Sequence, residues 1–210
     1  MTSELISSVE NTELFIVEGP TAANALKPLR DRCTQAILPM QGKIPNAARL
    51  PQSRLKKHAQ LNDLVRCLLV DADQDLDRDS VITNSVHRFR YERVVLLNDP
   101  DVDGIHAGIL LVIFFYHCFP ELIQQGRLYV VRAPLFGLYR NGEFIARADS
   151  VRQLDVLRSQ LEQDGAVQVR RFKGIASVDK PLLLDSLSPN SLQRQLLTQS
   201  LCQKLCKLFL

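Results

Sequence analysis

Short apolar runs that stop at polar or charged residues recur along the first half of the chain. They are ELFIV at 13–17, QAILP at 35–39 and VVLL at 94–97, and a longer run at 105–118 ends just before Pro120. Continuous apolar runs this short are typical of strands buried on both faces, whereas the longer run predicts a buried helix. It is too short for a membrane span, which needs about 20 apolar residues. The alternation of strands and helices predicts an α/β fold.

The run at 94–97 leads directly into an acidic cluster. Asp99, Asp101 and Asp103 follow it at a spacing of two. In an extended segment this spacing points all three carboxylates to one face, where they repel one another unless a cation or protons neutralise them. A hard divalent ion such as Mg²⁺ prefers oxygen ligands, so the cluster predicts a magnesium site. The alternative is a solvated turn that leaves through Gly104, because aspartate is common in turns.

A second acid, Glu18, stands at the end of the run at 13–17. Gly19 and several small residues follow it and predict a helix that Thr21 caps. A charge at the end of a buried strand indicates a functional residue, and the alternative is a carboxylate that only complements the helix N-terminus.

Four basic residues, Arg30, Arg32, Lys43 and Arg49, fall in the segment that follows. They indicate either solvated surface or a surface that faces phosphate groups. The net charge of +3 permits a nucleic-acid partner without requiring one. The 210 residues are enough to bury a sizeable core.

The five cysteines have no paired zinc spacing, and we interpret them as reduced thiols of a cytoplasmic protein. The N-terminus lacks the pattern of a signal peptide. An acidic segment at 71–77 imitates a calcium loop, but Leu76 and Ile82 occupy the positions that need glycine and glutamate, which favours a solvated loop. Leucines at helical spacing predict a C-terminal helix, packed on the domain or bound to a partner, with Cys202 and Cys206 in its apolar stripe. These leucines are Leu192, Leu196, Leu197, Leu201, Leu205 and Leu208.

Five segments, in this order and spacing, resemble the Toprim region of bacterial type IIA topoisomerase B subunits, those of gyrase and topoisomerase IV. They are ELFIVEGPTA, RDRCTQAILPMQGKIPN, LLNDPDVDG, FFYHCFPELIQQGRLYVVRAPLF and VRRFKG. The resemblance implies a Rossmann-like, mostly parallel sheet flanked by helices, with a C-terminal helical tail. It divides the chain into a polar leader at 1–12, a Toprim domain at 13–136, a C-terminal part of the B-subunit core at 137–197 and an amphipathic tail at 198–210.

The resemblance also implies a function and its residues. Glu18, Asp99, Asp101 and Asp103 correspond to the family's magnesium ligands, and the first three also to its catalytic residues. Magnesium there supports DNA cleavage and religation by a tyrosine of a partner A subunit. Lys43, Arg30, Arg32 and Lys173 are the expected contacts to DNA. ATP hydrolysis is expected from a separate ATPase subunit, and the expected location is the cytoplasm, in association with the nucleoid and not with a membrane.

Two departures from the family pattern leave a different function open. Pro20 and Thr21 replace an aspartate and a serine after Glu18, and KGIASV at 173–178 replaces KGLGEM. These losses favour a decoy or regulator that binds a topoisomerase A subunit or DNA without catalysis, or a degraded gene fragment. The retention of all four acids favours the enzyme module.

Overall fold

The computed structural model describes residues 10–55, 57–70 and 89–209. Residues 1–9 of the expected leader and the acidic segment at 71–77 lie outside the described residues. The described strands are β1 (Glu13–Glu18), β2 (Gln35–Met40), β3 (Arg93–Leu97), β4 (Leu128–Val131), β5 (Phe136–Arg140), β6 (Glu143–Ala148), β7 (Gln168–Arg171) and β8 (Arg194–Leu196). The described α-helices are α1 (Gly19–Leu26), α2 (Gln52–Leu55), α3 (Ala59–Leu68), α4 (Val102–Cys118), α5 (Pro120–Gln124), α6 (Val151–Leu161), α7 (Lys180–Leu187) and α8 (Gln199–Phe209).

Five strands form the main sheet, in the order β2, β1, β3, β4, β8. The first four are parallel, and β8 pairs antiparallel with β4. Parallel neighbours bring their carboxyl ends to the same edge, which is where ligand sites of open α/β sheets usually lie. The mostly parallel sheet flanked by helices confirms the predicted fold class.

Apolar side chains on both faces of the central strands explain the continuous apolar runs. In β1, Leu14 and Ile16 face one hydrophobic core, and Phe15 and Val17 face the other. The first core lies under α3, α4, α5 and α8, and the second under α1 and α7. Successive side chains of a strand point to opposite faces, so a central strand between two helical layers is apolar on both faces along most of its length.

A second, three-stranded antiparallel sheet follows the main parallel strands, in the order β6, β5, β7. Helix α6 packs on β6, and together they enclose a small core around Phe136, Leu138 and Ala148. The chain then returns through a short 3₁₀ helix, Ile175–Ser177, to the main sheet. This return brings residues far along the sequence to the edge where β1 and β3 end.

The sequence predictions of several element boundaries were wrong. Thr21 does not cap α1, because the helix already begins at Gly19, whose φ of 74° lets the chain turn sharply out of β1. Strand β2 continues through Pro39 to Met40, since an edge strand tolerates a residue without an N–H.

The C-terminal helix is shorter than the leucine spacing indicated. Leu192 lies in a turn and Leu196 lies in β8, whereas Leu201, Leu205 and Leu208 lie in α8. Cys202 and Cys206 are buried in the core between α8 and α4, as predicted, and all five cysteines are free. In the described part of the chain, no helix combines the length and apolarity needed to cross a membrane.

Candidate metal centre

Two of the predicted acids meet because their strands are neighbours. Glu18 is the last residue of β1, and Asp99 lies two residues beyond the end of β3. Strands β1 and β3 pair in parallel with Val17 opposite Leu97. Glu18 and Asp99 therefore emerge at the same edge of the main sheet.

The other two acids lie at the start of α4, where Asp101 is the extended N-cap residue and Asp103 already belongs to the helix. Asp101 caps this helix by accepting a hydrogen bond from the Gly104 N–H at 2.8 Å, and Asp103 lies in the first turn. The expected extended segment therefore ends at Asp101 and does not include Asp103. The acids are gathered instead by a helix that begins inside the motif, because Asp101 supplies its cap.

Gly104 lets the first turn of α4 pack directly against the backbone of Asp99. A Cβ at Gly104 would lie 2.2 Å from the carbonyl oxygen of Asp99, which is closer than two non-bonded atoms can approach. The glycine was predicted to form a turn out of the loop, but it lies within α4. Its role is to allow this close approach.

The Lys173–Ser177 turn closes the site from the opposite side. The Ile175 N–H donates to Asp99 Oδ1 at 2.8 Å, and a Cβ at Gly174 would lie 2.6 Å from Asp99 Oδ2. Between this turn and the start of α1 lies a cleft of about 340 Å³. It is lined by Glu18, Thr21, Ala22, Asp99, Lys173, Gly174, Ala176 and Ser177.

The electrostatics of the cleft favour a bound cation. Burial raises the pKa of Glu18, and the neighbouring carboxylates of Asp99, Asp101 and Asp103 raise it further, while Lys43 lowers it. Burial also raises the pKa of Asp99, although the hydrogen bond from Ile175 opposes this shift. These shifts mean that negative charge in the cleft is costly without a nearby cation or proton.

Lys43 already supplies one positive charge. It lies in the loop after β2, and its Nζ contacts Asp103 Oδ1 at 2.7 Å. This contact holds the pKa of the Asp103 carboxyl below its usual range. Both side chains are largely exposed, so the ion pair is weak and exchangeable.

The donor set fits a magnesium ion. All four acids offer hard carboxylate oxygens, and Glu18 Oε2 is buried without a hydrogen-bond partner among the described residues. A buried carboxylate oxygen of this kind requires a proton, a donor or a cation. Within 10–55, 57–70 and 89–209, however, no group of three or more His, Cys, Asp or Glu side chains is arranged to hold a metal ion, so the fit is one of ligand chemistry alone.

The predicted DNA contacts fall at two ends of the sheet. Lys43 and Lys173 lie beside the acids. Arg30 and Arg32 lie in the loop from α1 to β2. This loop lies near the start of β1, because Gln35 at the start of β2 pairs with Glu13, the first residue of β1. The six residues of β1 separate this end from Glu18 by about 17 Å. Arg30 and Arg32 therefore lie at the opposite end of β1 from Glu18, and their contact with DNA stays a prediction.

The sequence did not indicate three groups that contact or adjoin the acids. The Ile175 N–H holds Asp99, and the Ser177 hydroxyl closes the turn that carries Ile175. Asn98 directly precedes Asp99, and its Oδ1 is buried with no hydrogen-bond partner in the described structure. A backbone donor has no residue-type signal, but the glycine before Ile175 was a sign of close backbone approach.

The parallel sheet, the glutamate at the end of β1 and the aspartates after β3 define a Toprim domain. The sequence profile of that domain matches residues 13–133, and the chain belongs to the Toprim family. It is 32% identical over 198 residues to the B subunit of DNA topoisomerase 4 from Bartonella bacilliformis, covering 93% of this chain and 27% of that protein.

Two further relatives agree with this assignment. The chain is 33% identical to the B subunit of DNA topoisomerase 4 from Haemophilus influenzae, over 92% of this chain and 29% of that protein. It is also 33% identical to the B subunit of DNA gyrase from Archaeoglobus fulgidus, over 84% of this chain and 26% of that protein. The chain thus spans less than a third of the length of these relatives.

Proposed function

We propose that the chain is the magnesium-binding Toprim module of a type IIA DNA topoisomerase, of the B-subunit type. It supports cleavage and religation of both DNA strands by a partner A subunit, during an ATP-dependent change of DNA topology. The observation that carries this proposal is the meeting of Glu18 and Asp99 at one edge of the sheet, with Lys173 in the same cleft.

The residue roles follow from the chemistry of the cleft. Glu18, Asp99, Asp101 and Asp103 are the proposed ligands of Mg²⁺, which when bound neutralises phosphate charge and stabilises the transition state of strand transfer. Glu18, whose pKa is raised by burial, is suited to exchange a proton with the DNA hydroxyl that leaves and returns. Asp99 lines the same cleft, and the negative charge of Asp101 also acts on Glu18.

The basic residues supply the contacts to the DNA backbone. Lys43 and Lys173 lie beside the acids, where they can pair with phosphates that flank the reacting one. The contact of Arg30 and Arg32 with DNA is a separate proposal, since these residues lie at the other end of the sheet. The cleaving tyrosine and the ATPase are proposed to be contributed by the A subunit and an ATPase subunit.

The test is magnesium-dependent DNA cleavage by this chain mixed with a topoisomerase IV A subunit. Glu18→Gln and Asp101→Asn each remove one carboxylate charge without changing size, and we expect both to abolish cleavage. Asp164→Asn, at an exposed position in the three-stranded sheet module, is the matched control and should cleave normally. Cleavage that survives in Glu18→Gln would contradict the proposed catalytic role.

The same mixture tests the alternative function. A non-catalytic regulator is favoured by the residues that replace the family pattern at Pro20 and at 175–178. If the wild-type mixture binds DNA, never cuts it and inhibits a complete topoisomerase, the regulator is the better account.

The DNA contact of Lys43 is tested by duplex binding at several salt concentrations. Lys43→Gln should weaken binding and lower the salt slope by about one, as expected for one lost phosphate contact. Lys27→Gln is the matched control, because Lys27 is exposed at the far end of α1. Equal effects of the two substitutions would show only a loss of net charge.

A further inference from the structure

The Lys173–Ser177 turn is built around one hydroxyl group. Ser177 Oγ accepts hydrogen bonds from the Lys173 N–H at 3.0 Å and the Gly174 N–H at 3.3 Å, and it donates to the Gly174 carbonyl oxygen at 2.7 Å. A single side chain therefore satisfies three backbone groups. The two N–H donors have no other acceptor among the hydrogen bonds of the described residues.

The turn is also anchored in the hydrophobic core. Phe172, Ile175 and Val178 are buried, and all three belong to the core on the α1 side of the sheet. Ile175 thus has two attachments, its side chain in the core and its N–H on Asp99 Oδ1. Small changes in the turn must move this N–H relative to the carboxylate, because the side chain cannot shift freely in a packed core.

The same turn carries Lys173 and Gly174 to the cleft. Gly174 approaches Asp99 Oδ2 so closely that no Cβ fits, and Lys173 lines the cleft together with Glu18. The turn therefore controls the orientation of a proposed metal ligand and the position of a proposed phosphate contact.

We propose that Ser177 is a positioning residue of the site: its hydroxyl sets the turn so that the Ile175 N–H holds Asp99 in the orientation that binds the metal. Asp99 Oδ1 accepts this hydrogen bond, and Asp99 lines the cleft together with Glu18. Partners that orient a metal ligand commonly change metal affinity about 10- to 100-fold when they are removed. This inference rests on the proposed magnesium-binding function.

The test compares the wild-type chain with Ser177→Ala, Ser177→Thr and Ser159→Ala. Ser177→Thr keeps the hydroxyl and should restore the wild-type behaviour. Ser159 is the matched control, because it is exposed on α6 and its hydroxyl donates to a carbonyl of its own helix. Two quantities are measured: the Mg²⁺ dissociation constant by calorimetry and the hydrogen-exchange protection of the Ile175 amide without metal.

We expect Ser177→Ala to raise the Mg²⁺ dissociation constant about tenfold and to reduce protection of the Ile175 amide, while both serine controls stay at wild-type values. If Ser177 had only a structural role, Ser177→Ala would lower the free energy of unfolding and leave the Mg²⁺ affinity of the folded chain unchanged. That result would overturn the proposal. A wild-type chain without Mg²⁺ binding would overturn the proposed metal centre itself. The Ile175 amide would then still show whether Ser177 controls the contact to Asp99.

Discussion

Asp99 is held between two glycines, one on each side. Gly104 allows α4 to pack on its backbone, and Gly174 allows the Lys173–Ser177 turn to approach its carboxylate. Both glycines were visible in the sequence, but only one of the two was expected to serve a turn, and neither was expected to contact Asp99. At the scale of single residues, the site depends on glycines, which have no side chain, as much as on the acids.

A methyl group at Gly174 should displace Asp99. The φ of Gly174 is −167°, which alanine adopts without strain, so the effect of Gly174→Ala comes from the clash at 2.6 Å alone. We expect Mg²⁺ affinity to fall at least about tenfold, measured by calorimetry. Gly108→Ala is the control, because a Cβ there would meet Asn98 at an ordinary 3.7 Å. Equal affinities of the two variants would show that the clash does not matter.

The raised pKa of Glu18 predicts how stability depends on pH without metal. Because its pKa is raised above 4.5 by burial and by the neighbouring aspartates, the folded chain holds the proton more tightly than the unfolded chain. Its contribution to stability is therefore complete below pH 4.5 and is lost as the pH rises through the folded pKa.

This dependence is measured by urea unfolding in EDTA at pH values from 4.5 upward. The glutamine of Glu18→Gln cannot titrate. As the pH rises, the free energy of unfolding of the wild type should therefore fall relative to that of the variant. Mg²⁺ should reverse the trend, because it replaces the proton. A difference that does not vary with pH would contradict the raised pKa.

Helix α4 joins the acidic cluster to the core at the scale of secondary structure. Its N-cap residue, Asp101, is also a proposed ligand, and the body of the helix packs under the sheet and against α8. Capping a helix needs a side-chain oxygen that accepts a hydrogen bond, whereas binding Mg²⁺ favours a charged carboxylate. Asparagine separates the two roles because it caps helices as well as aspartate does but carries no charge.

Substitutions at Asp101 should separate these two roles. Asp101→Ala removes the hydrogen bond to the Gly104 N–H and should lower the free energy of unfolding by about 1 kcal/mol. Asp101→Asn keeps the cap and should retain nearly all of this stability, while both variants lose Mg²⁺ affinity. Urea unfolding and calorimetry measure the two effects. An asparagine variant as unstable as the alanine variant would show that the charge, and not the cap, stabilises α4.

At the scale of the whole molecule, a buried ion pair connects β8, the last strand of the main sheet, to β1, its first strand in the sequence. Arg194 in β8 donates to Glu13 at the start of β1, although two strands lie between them, and both side chains are almost fully buried. Gln35 Nε2 also donates to Glu13, at 3.1 Å. The contact fixes the last strand of the sheet across the core that contains Phe15.

Arg194→Ala should therefore be strongly destabilising. Among the described residues, removing Arg194 leaves buried Glu13 with only the longer ion-pair contact to Arg93 Nη1 at 3.6 Å. Loss of one partner of a buried ion pair costs about 3–5 kcal/mol in comparable cases. Arg158→Ala is the control, because Arg158 pairs with Glu162 on the exposed surface, where such pairs contribute about 0.3–0.5 kcal/mol. Urea unfolding measures both. A loss below about 1 kcal/mol for Arg194→Ala would mean that Glu13 is not held by this arginine.

The alternation of strand and helix was readable from local patterns. The apolar runs at β1, β2 and β3 and the long run of α4 were found because burial on both faces requires continuous apolar residues, which is a local property of the chain. The acids at the strand ends were found for the same reason, since a charge after a buried run is conspicuous. The burial of Cys202 and Cys206 followed from helical spacing.

The geometry of the site depended on contacts between distant segments. The Ile175 N–H reaches Asp99 across 76 positions of sequence, and no residue type signals a backbone donor. Arg30, Arg32 and Lys43 fall in one segment of the sequence, but β2 runs the length of the sheet between the two arginines and the lysine. Local patterns specify which residues are buried and where strands end. Which of those strand ends meet depends on the order of the strands in the sheet and on the path by which the chain returns to it. Packing energies summed over the whole fold set both.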